Sequence, residues 1–198
     1  MAEVADARLS NASRDLSKLA QRSMLTRVKR GLWAVTNHPD FSPYAVVPFL
    51  FGAEEKGYVS LLTAMNLHGM VDQIPQVILV VTLTQRPRLM APVGTYEFHQ
   101  LHADLFGGYR PYRHTGSFQI GTREKSLFDA LYLSACRGQR FAHLPEIDLG
   151  DDFSESIVRG WIGKIDHRPL RIAVADKWEK FLVKQELRRA AQLGGAAI

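Results

Sequence analysis

The chain has a single cysteine, Cys136, among 198 residues. A lone thiol cannot close an internal disulfide, and without Cys/Cys or Cys/His spacing there is no zinc knuckle or finger, so a reducing cytoplasm is the expected compartment. Long apolar runs are missing too. The most apolar stretch, Val77 to Leu83, falls far short of the ~20 residues of a spanning helix and reads as a buried strand. Residues Met1 to Leu16 mix Glu3, Asp6, Arg8, Arg14 and Asp15 with alanines, which excludes the apolar core of a signal peptide. A soluble, cytoplasmic chain with no membrane partner is expected.

Catalytic signatures are equally scarce. Gly52, Gly57 and Gly69 are too scattered for a phosphate loop, no Lys-Ser or Lys-Thr follows a glycine-rich strand exit, and there is no Gly-x-Ser-x-Gly. His99, His102 and Asp104 resemble a metal-binding group in composition, but residues three apart on a strand point to opposite faces. No catalytic residue, metal or cofactor is therefore assigned. His68, just before Gly69, reads as a helix-end residue near the negative pole of the helix dipole.

Apolar residues make up 46% of the chain, enough for a proper core. The net charge of +5 is unevenly placed. Met1 to Val35 carries seven basic residues against three acidic, and the remaining 163 carry 18 against 17. A basic segment on a nearly neutral body is the electrostatic footprint of a nucleic-acid-binding module, because paired phosphates release counterions. A solvated basic end is the alternative that charge alone leaves open.

Within that segment, Ala2 to Arg8 reads as a short helical stretch, Leu9-Ser10-Asn11 as a turn and N-cap, and Ala12 to Ser23 as a second helix with Ala12, Leu16, Leu19 and Ala20 on one side. Leu25 to Val28 and Leu32 to Val35 then form two short strands around Lys29-Arg30-Gly31. This is the order of a winged helix-turn-helix, with the second helix in the major groove. Asn11, Ser13, Arg14, Ser17 and Lys18 are types that read base edges or phosphates, and Arg22, Arg27, Lys29 and Arg30 suit phosphates or the neighbouring minor groove. A helix and hairpin also suit a dimerisation arm.

The fold class expected is α/β (α+β): a winged helix-turn-helix module over residues 1–38, lacking its usual first helix, and a mixed α/β domain over residues 39–198. Ser42-Pro43-Tyr44 should cap a helix running toward Glu55, with Pro48 forcing a kink. Gly57 to Val59 is extended, and Ser60 caps a helix that Gly69 ends. Val77 to Thr84, Thr95 to Leu101 and Phe118 to Ile120 are strand candidates, and helices follow at Thr122 to Cys136, Phe153 to Ile165 and Pro169 to Lys184. Gly194 to Ile198 should fray. Glu124 at the positive end of its helix, and Lys125 four residues before Asp129, suit helix-surface electrostatics.

Four stretches resemble AbiEi-like antitoxins, the regulators of type IV toxin–antitoxin systems: Arg27-Val-Lys-Arg-Gly-Leu-Trp-Ala-Val35, Tyr44-Ala45, Gly57-Tyr-Val-Ser-Leu-Leu-Thr-Ala-Met-Asn-Leu-His-Gly-Met-Val-Asp-Gln-Ile-Pro75 and Arg123-Glu-Lys-Ser-Leu-Phe-Asp-Ala-Leu-Tyr132. The resemblance implies a winged helix followed by an α/β domain and repression of the chain's own operon. It also implies countering of a nucleotidyltransferase-like toxin without direct binding. Two departures stand out. Only nine residues precede the Ser10-Asn11 turn, so either the coding sequence starts upstream of Met1 or another surface covers the second helix; and Arg123 stands where the family often has proline. The expected function is that of a non-enzymatic, sequence-specific regulator on duplex DNA at its own operator, with two copies on the DNA. The rivals are a nucleotide- or nucleic-acid-processing enzyme using Asp72, His99, Asp104, Glu124 or Asp129, and a protein-interaction module whose basic hairpin meets an acidic partner.

Overall fold

The computed structural model describes residues 2–52, 55–114, 117–136, 141 and 144–195. Its centre is a six-stranded mixed sheet with helices on one face and the N-terminal hairpin on the other. The chain enters through helix α1 (Ala2–Gln21) and a hairpin of β1 (Thr26–Lys29) and β2 (Leu32–Ala34), followed by a 3-10 helix (Pro43–Leu50). Then come β3 (Gly57–Val59), α2 (Leu61–Leu67), β4 (Ile78–Thr82), β5 (Leu89–Ala91), β6 (Gly94–Gln100), a short 3-10 turn (Ala103–Leu105), β7 (Tyr109–Tyr112) and β8 (Phe118–Gly121). Three helices close the chain: α3 (Arg123–Ala135), α4 (Glu155–Gly163) and α5 (Arg168–Gly195).

The strand order is β5-β6-β4-β3-β8-β7. β4 runs parallel to β6 and β3 parallel to β8, while the remaining neighbours are antiparallel. The period of two along β4 divides the core. Leu79 and Val81 belong to the cluster built with α2, α3, α4 and α5, whereas Ile78 and Val80 face the cluster that holds the 3-10 helix and hairpin. A strand buried on both faces needs an unbroken apolar run, which is what Ile78 to Val81 supplies.

The helix-turn-helix expected at residues 2–23 is not formed. Ala2–Gln21 is one continuous helix, with no turn at Leu9-Ser10-Asn11. The segment contains neither glycine nor proline, and serine and asparagine inside a helix cost only a few tenths of a kcal/mol each relative to alanine, too little to break it. The hairpin does form. Gly31, at φ +77, provides the left-handed turn between Lys29 and Leu32, and the register slips between Arg27 and Lys29 as at a β-bulge.

The hairpin shares a core with the segment beyond residue 38. Val28 is 5% exposed and clusters with Val46, Val47 and Leu50, and Leu32 and Ala34 pack against the same group. Ser42 caps the 3-10 helix by accepting from the Tyr44 amide at 3.3 Å, with Pro43 at the first position. The helix expected to reach Glu55 stops at Leu50. Pro48 has no amide hydrogen and clashes with the carbonyl four residues back, so an α-helix could not pass through it.

The expected strands appear as β3, β4, β6 and β8, and the expected C-terminal helices as α3, α4 and α5. Thr122 is the cap of α3, accepting from the Lys125 amide at 3.2 Å. The sequence did not reveal β5 or β7. α5 also runs on to Gly195, so Gly194 lies inside a helix expected to have ended, and residues 196–198 lie outside those described.

Candidate nucleic-acid interface

Helices advance about 100° per residue, so Asn11, Arg14 and Lys18 form one stripe along α1, and Arg22, in the turn just past its end with its amide bonded to the Lys18 carbonyl at 3.2 Å, continues it. All four are exposed. Ser13 and Ser17 lie on a different side of the helix, and Ser17 Oγ donates to the Ser13 carbonyl at 2.8 Å. The structure thus brings four of the six expected α1 contacts together and separates the two serines from them. Lys18 Nζ stands 3.5 Å from Asp15 Oδ1, with side chains 65% and 70% exposed, a pair worth less than about 1 kcal/mol and readily exchanged for a phosphate.

The apolar side of α1 is incompletely covered. Leu16 and Ala20 are half-buried, Leu19 is 37% exposed and Ala12 is exposed. The helix ends in a tight turn at Ser23, which has φ 57, and Asn37 Nδ2 ties the Ser23 carbonyl at 2.9 Å to the far end of the hairpin.

The three hairpin cations differ in role. Arg30 is exposed at the tip, and Arg27 is exposed with its guanidinium 5.7 Å from the centre of the Trp33 ring. Lys29 is partly buried and donates to the Leu50 carbonyl at 2.9 Å. Its ammonium secures the hairpin to the 3-10 helix, which commits one of its three donors.

The residues weighed for an enzymatic reading do not converge. Asp72 and Asp104 are exposed, the latter 3.1 Å from His102. His99 is buried on β6, 3.6 Å from Glu97. Glu124 is buried and accepts from the Ser154 amide at 3.3 Å. Among the described residues, no group of three or more His, Cys, Asp or Glu side chains is placed to hold a metal ion.

Lys125 and Asp129 correct the expectation of helix-surface electrostatics, because both side chains are 0% exposed and ion-paired inside the protein. Asp129 also accepts from Ser60 Oγ at 2.7 Å and Tyr58 Oη at 3.0 Å. The Lys125 ammonium lies 4.5 Å from the Trp161 ring centre and 4.8 Å from that of Phe128. Burial pushes the Lys125 ammonium down and the Asp129 carboxyl up from their ordinary values, and each charge offsets part of the other's penalty. Ser60 stands at the start of α2 as expected of a cap, but its hydroxyl makes no capping bond and serves Asp129 instead.

A second concentration of positive charge, not anticipated from the sequence, surrounds a cleft of about 880 Å³ between β7, the end of α2 and the start of α3. Arg110 and Arg113 come from β7 and the residue after its end, Arg123 opens α3, and His68 follows α2. These residues lie up to 55 positions apart in sequence, so no local charge count could have grouped them.

No protein-family model matches the chain, and no curated protein matches its sequence. Among the described residues, no helix is long and apolar enough to cross a membrane.

Proposed function

We propose that the chain is a sequence-specific DNA-binding regulator that contacts duplex DNA through α1 and the hairpin. The observation that carries this reading is the stripe Asn11, Arg14 and Lys18, left in solvent along a continuous helix, extended by Arg22 in the turn after it and followed by the exposed Arg27 and Arg30. A helix of this diameter fits the major groove, and cations flanking it neutralise the adjacent phosphates. α1 then serves as the reading helix and the hairpin as its wing, with Ser13 and Ser17 turned away and Lys29 holding the wing in place.

The resemblance of the four sequence blocks to AbiEi-like antitoxins extends the proposal. The DNA is the chain's own operator, two copies occupy it, and the regulator counters a nucleotidyltransferase-like toxin without touching it. The test is fluorescence anisotropy against the duplex upstream of the gene and a scrambled duplex, over a salt series. Wild type should prefer the upstream duplex. The triple variant Arg14→Ala, Lys18→Ala, Arg22→Ala should lose the preference and shed about one unit of salt slope per lost phosphate contact. Equal affinity for both duplexes, or a triple variant that binds like wild type, would refute the reading.

One observation favours a second reading, in which α1 is a pairing arm: Ala12, Leu16, Leu19 and Ala20 form an apolar stripe that the described structure leaves partly in solvent. Leu16→Glu with Leu19→Glu would separate the two. Loss of a dimer in light scattering with DNA affinity intact assigns α1 to pairing rather than reading.

A further inference from the structure

The cleft beside β7 has the composition of an anion receptor. Its three arginines project from two elements, and among the described residues none of their guanidiniums stands within ion-pair distance of a carboxylate. Two acidic residues, Glu124 and Asp152, line the cleft against three guanidiniums, so positive charge remains in excess, and Glu124 also accepts from the Ser154 amide at 3.3 Å. Arg123 is half-buried and held in place, since its Nη2 donates to the His68 carbonyl at 3.1 Å and its guanidinium lies against Gly150. His68 Nε2 lies 2.7 Å from the Gly121 carbonyl. A carbonyl can only accept, so this nitrogen carries the proton. Burial, and then the charges of Arg110 and Arg123, lower the affinity of that imidazole for a second proton, so the two guanidinium fields meet at this wall.

We propose that this cleft binds a nucleotide bearing at least a diphosphate. Each guanidinium offers parallel N–H donors matched to a phosphate, and three of them, set on β7, just after its end and at the start of α3, can be shared between two adjacent phosphates. The volume of about 880 Å³ lies within the range of small-molecule sites. The remaining wall carries rings: Tyr112 and His114 meet edge to face, with centroids 5.2 Å apart, and give a planar base a surface to stack on. Phe118 packs against Tyr112, with ring centroids 5.0 Å apart. The site stands apart from α1 and the hairpin and does not depend on the DNA reading.

The experiment is isothermal titration of the full chain with inorganic phosphate, pyrophosphate, ADP, GDP and the parent nucleosides. Pyrophosphate should bind saturably and at least about tenfold more tightly than phosphate. ADP or GDP should bind at least as tightly as pyrophosphate, and the nucleosides should not register. Arg110→Ala with Arg113→Ala, both exposed positions, should weaken pyrophosphate and nucleotide about tenfold or more at an unchanged melting temperature. Arg110→Lys with Arg113→Lys keeps the charge but not the fork, and should lose most of the preference for pyrophosphate over phosphate. The α1 triple variant should bind nucleotide like wild type, so failure here and failure of the DNA reading are separable. No saturable heat with pyrophosphate or either nucleotide, affinity undiminished in both double variants, or binding confined to polynucleotides would overturn the proposal.

Discussion

Helices α1 and α3 carry nearly the same local charge motif and use it in opposite ways. In α1, Asp15 and Lys18 stand one turn apart in solvent, while in α3, Lys125 and Asp129 stand one turn apart with no exposure at all. The difference comes from what surrounds them. α1 shows no fully buried residue from Asn11 onward, whereas every residue of α3 from Glu124 to Leu131 is buried. An ion pair in water gains little over its hydrated ions, but one sealed beneath Tyr58, Phe128 and Trp161 must satisfy every lone pair and proton internally. Ser60 and Tyr58 complete that shell around Asp129. Charge left in solvent is free to meet a partner, and charge sealed inside ties α3 to Tyr58 on β3 and to Ser60 beside it.

The strongest way to break this comparison is to remove one member of the buried pair. Lys125→Ala should lower unfolding free energy by about 3–5 kcal/mol, because Asp129 is left buried and uncompensated. Lys125→Met with Asp129→Asn, which removes both charges but keeps an acceptor for Ser60 and Tyr58, should recover part of the loss. Urea denaturation measures both, and a Lys125→Ala midpoint near wild type would show that the pair is not sealed.

His68 is an intermediate case, half-buried at the edge of the cleft. Its folded-state pKa is lowered by burial, then by Arg110 and Arg123, and the Gly121 carbonyl and Glu124 work against this. A depressed folded pKa means that the unfolded chain takes up the proton first. This contribution to stability is therefore complete above about pH 6.5 and lost as the pH falls through the folded value. His68→Gln should show a flatter decline in urea midpoint between pH 7.5 and 5.5. Identical slopes would show that the imidazole titrates as if in water. The smallest effect belongs to the solvated pair: Asp15→Ala should change stability by less than about 0.5 kcal/mol, and a larger loss would mean that α1 is not the free helix described above.

What the sequence disclosed follows the same division. Apolar periodicity is a local signal, so β4, β6, β8 and the three C-terminal helices were legible, as was the cap at Ser42. β5 and β7 were not, because Leu89–Ala91 is only three residues long and Pro111 argues against a strand unless it lies at an edge, which is where β7 sits. The break at Ser10-Asn11 was expected from residue types that favour caps, yet those types cost too little inside a helix to force one. The basic stripe of α1 could be traced in part from spacing. The burial of Lys125 and Asp129 could not, since i, i+4 reads the same on a wet face as on a dry one; the apolar residues Leu127, Phe128, Ala130 and Leu131 wrapping that helix were the available clue. The cleft arginines were hidden because only the topology brings β7 beside the start of α3.

Pro111 has a consequence for the protein in a crowded solution. β7 closes the sheet on one side and, among the described residues, pairs only with β8. An unpaired strand edge is a template on which another chain can add its own strand, the first step toward aggregation. Pro111 withholds an amide from that edge, and the cations Arg110 and Arg113 beside it repel a second copy of the same edge. The residues that make this rim attractive to a small polyanion also make it a poor seed for self-association.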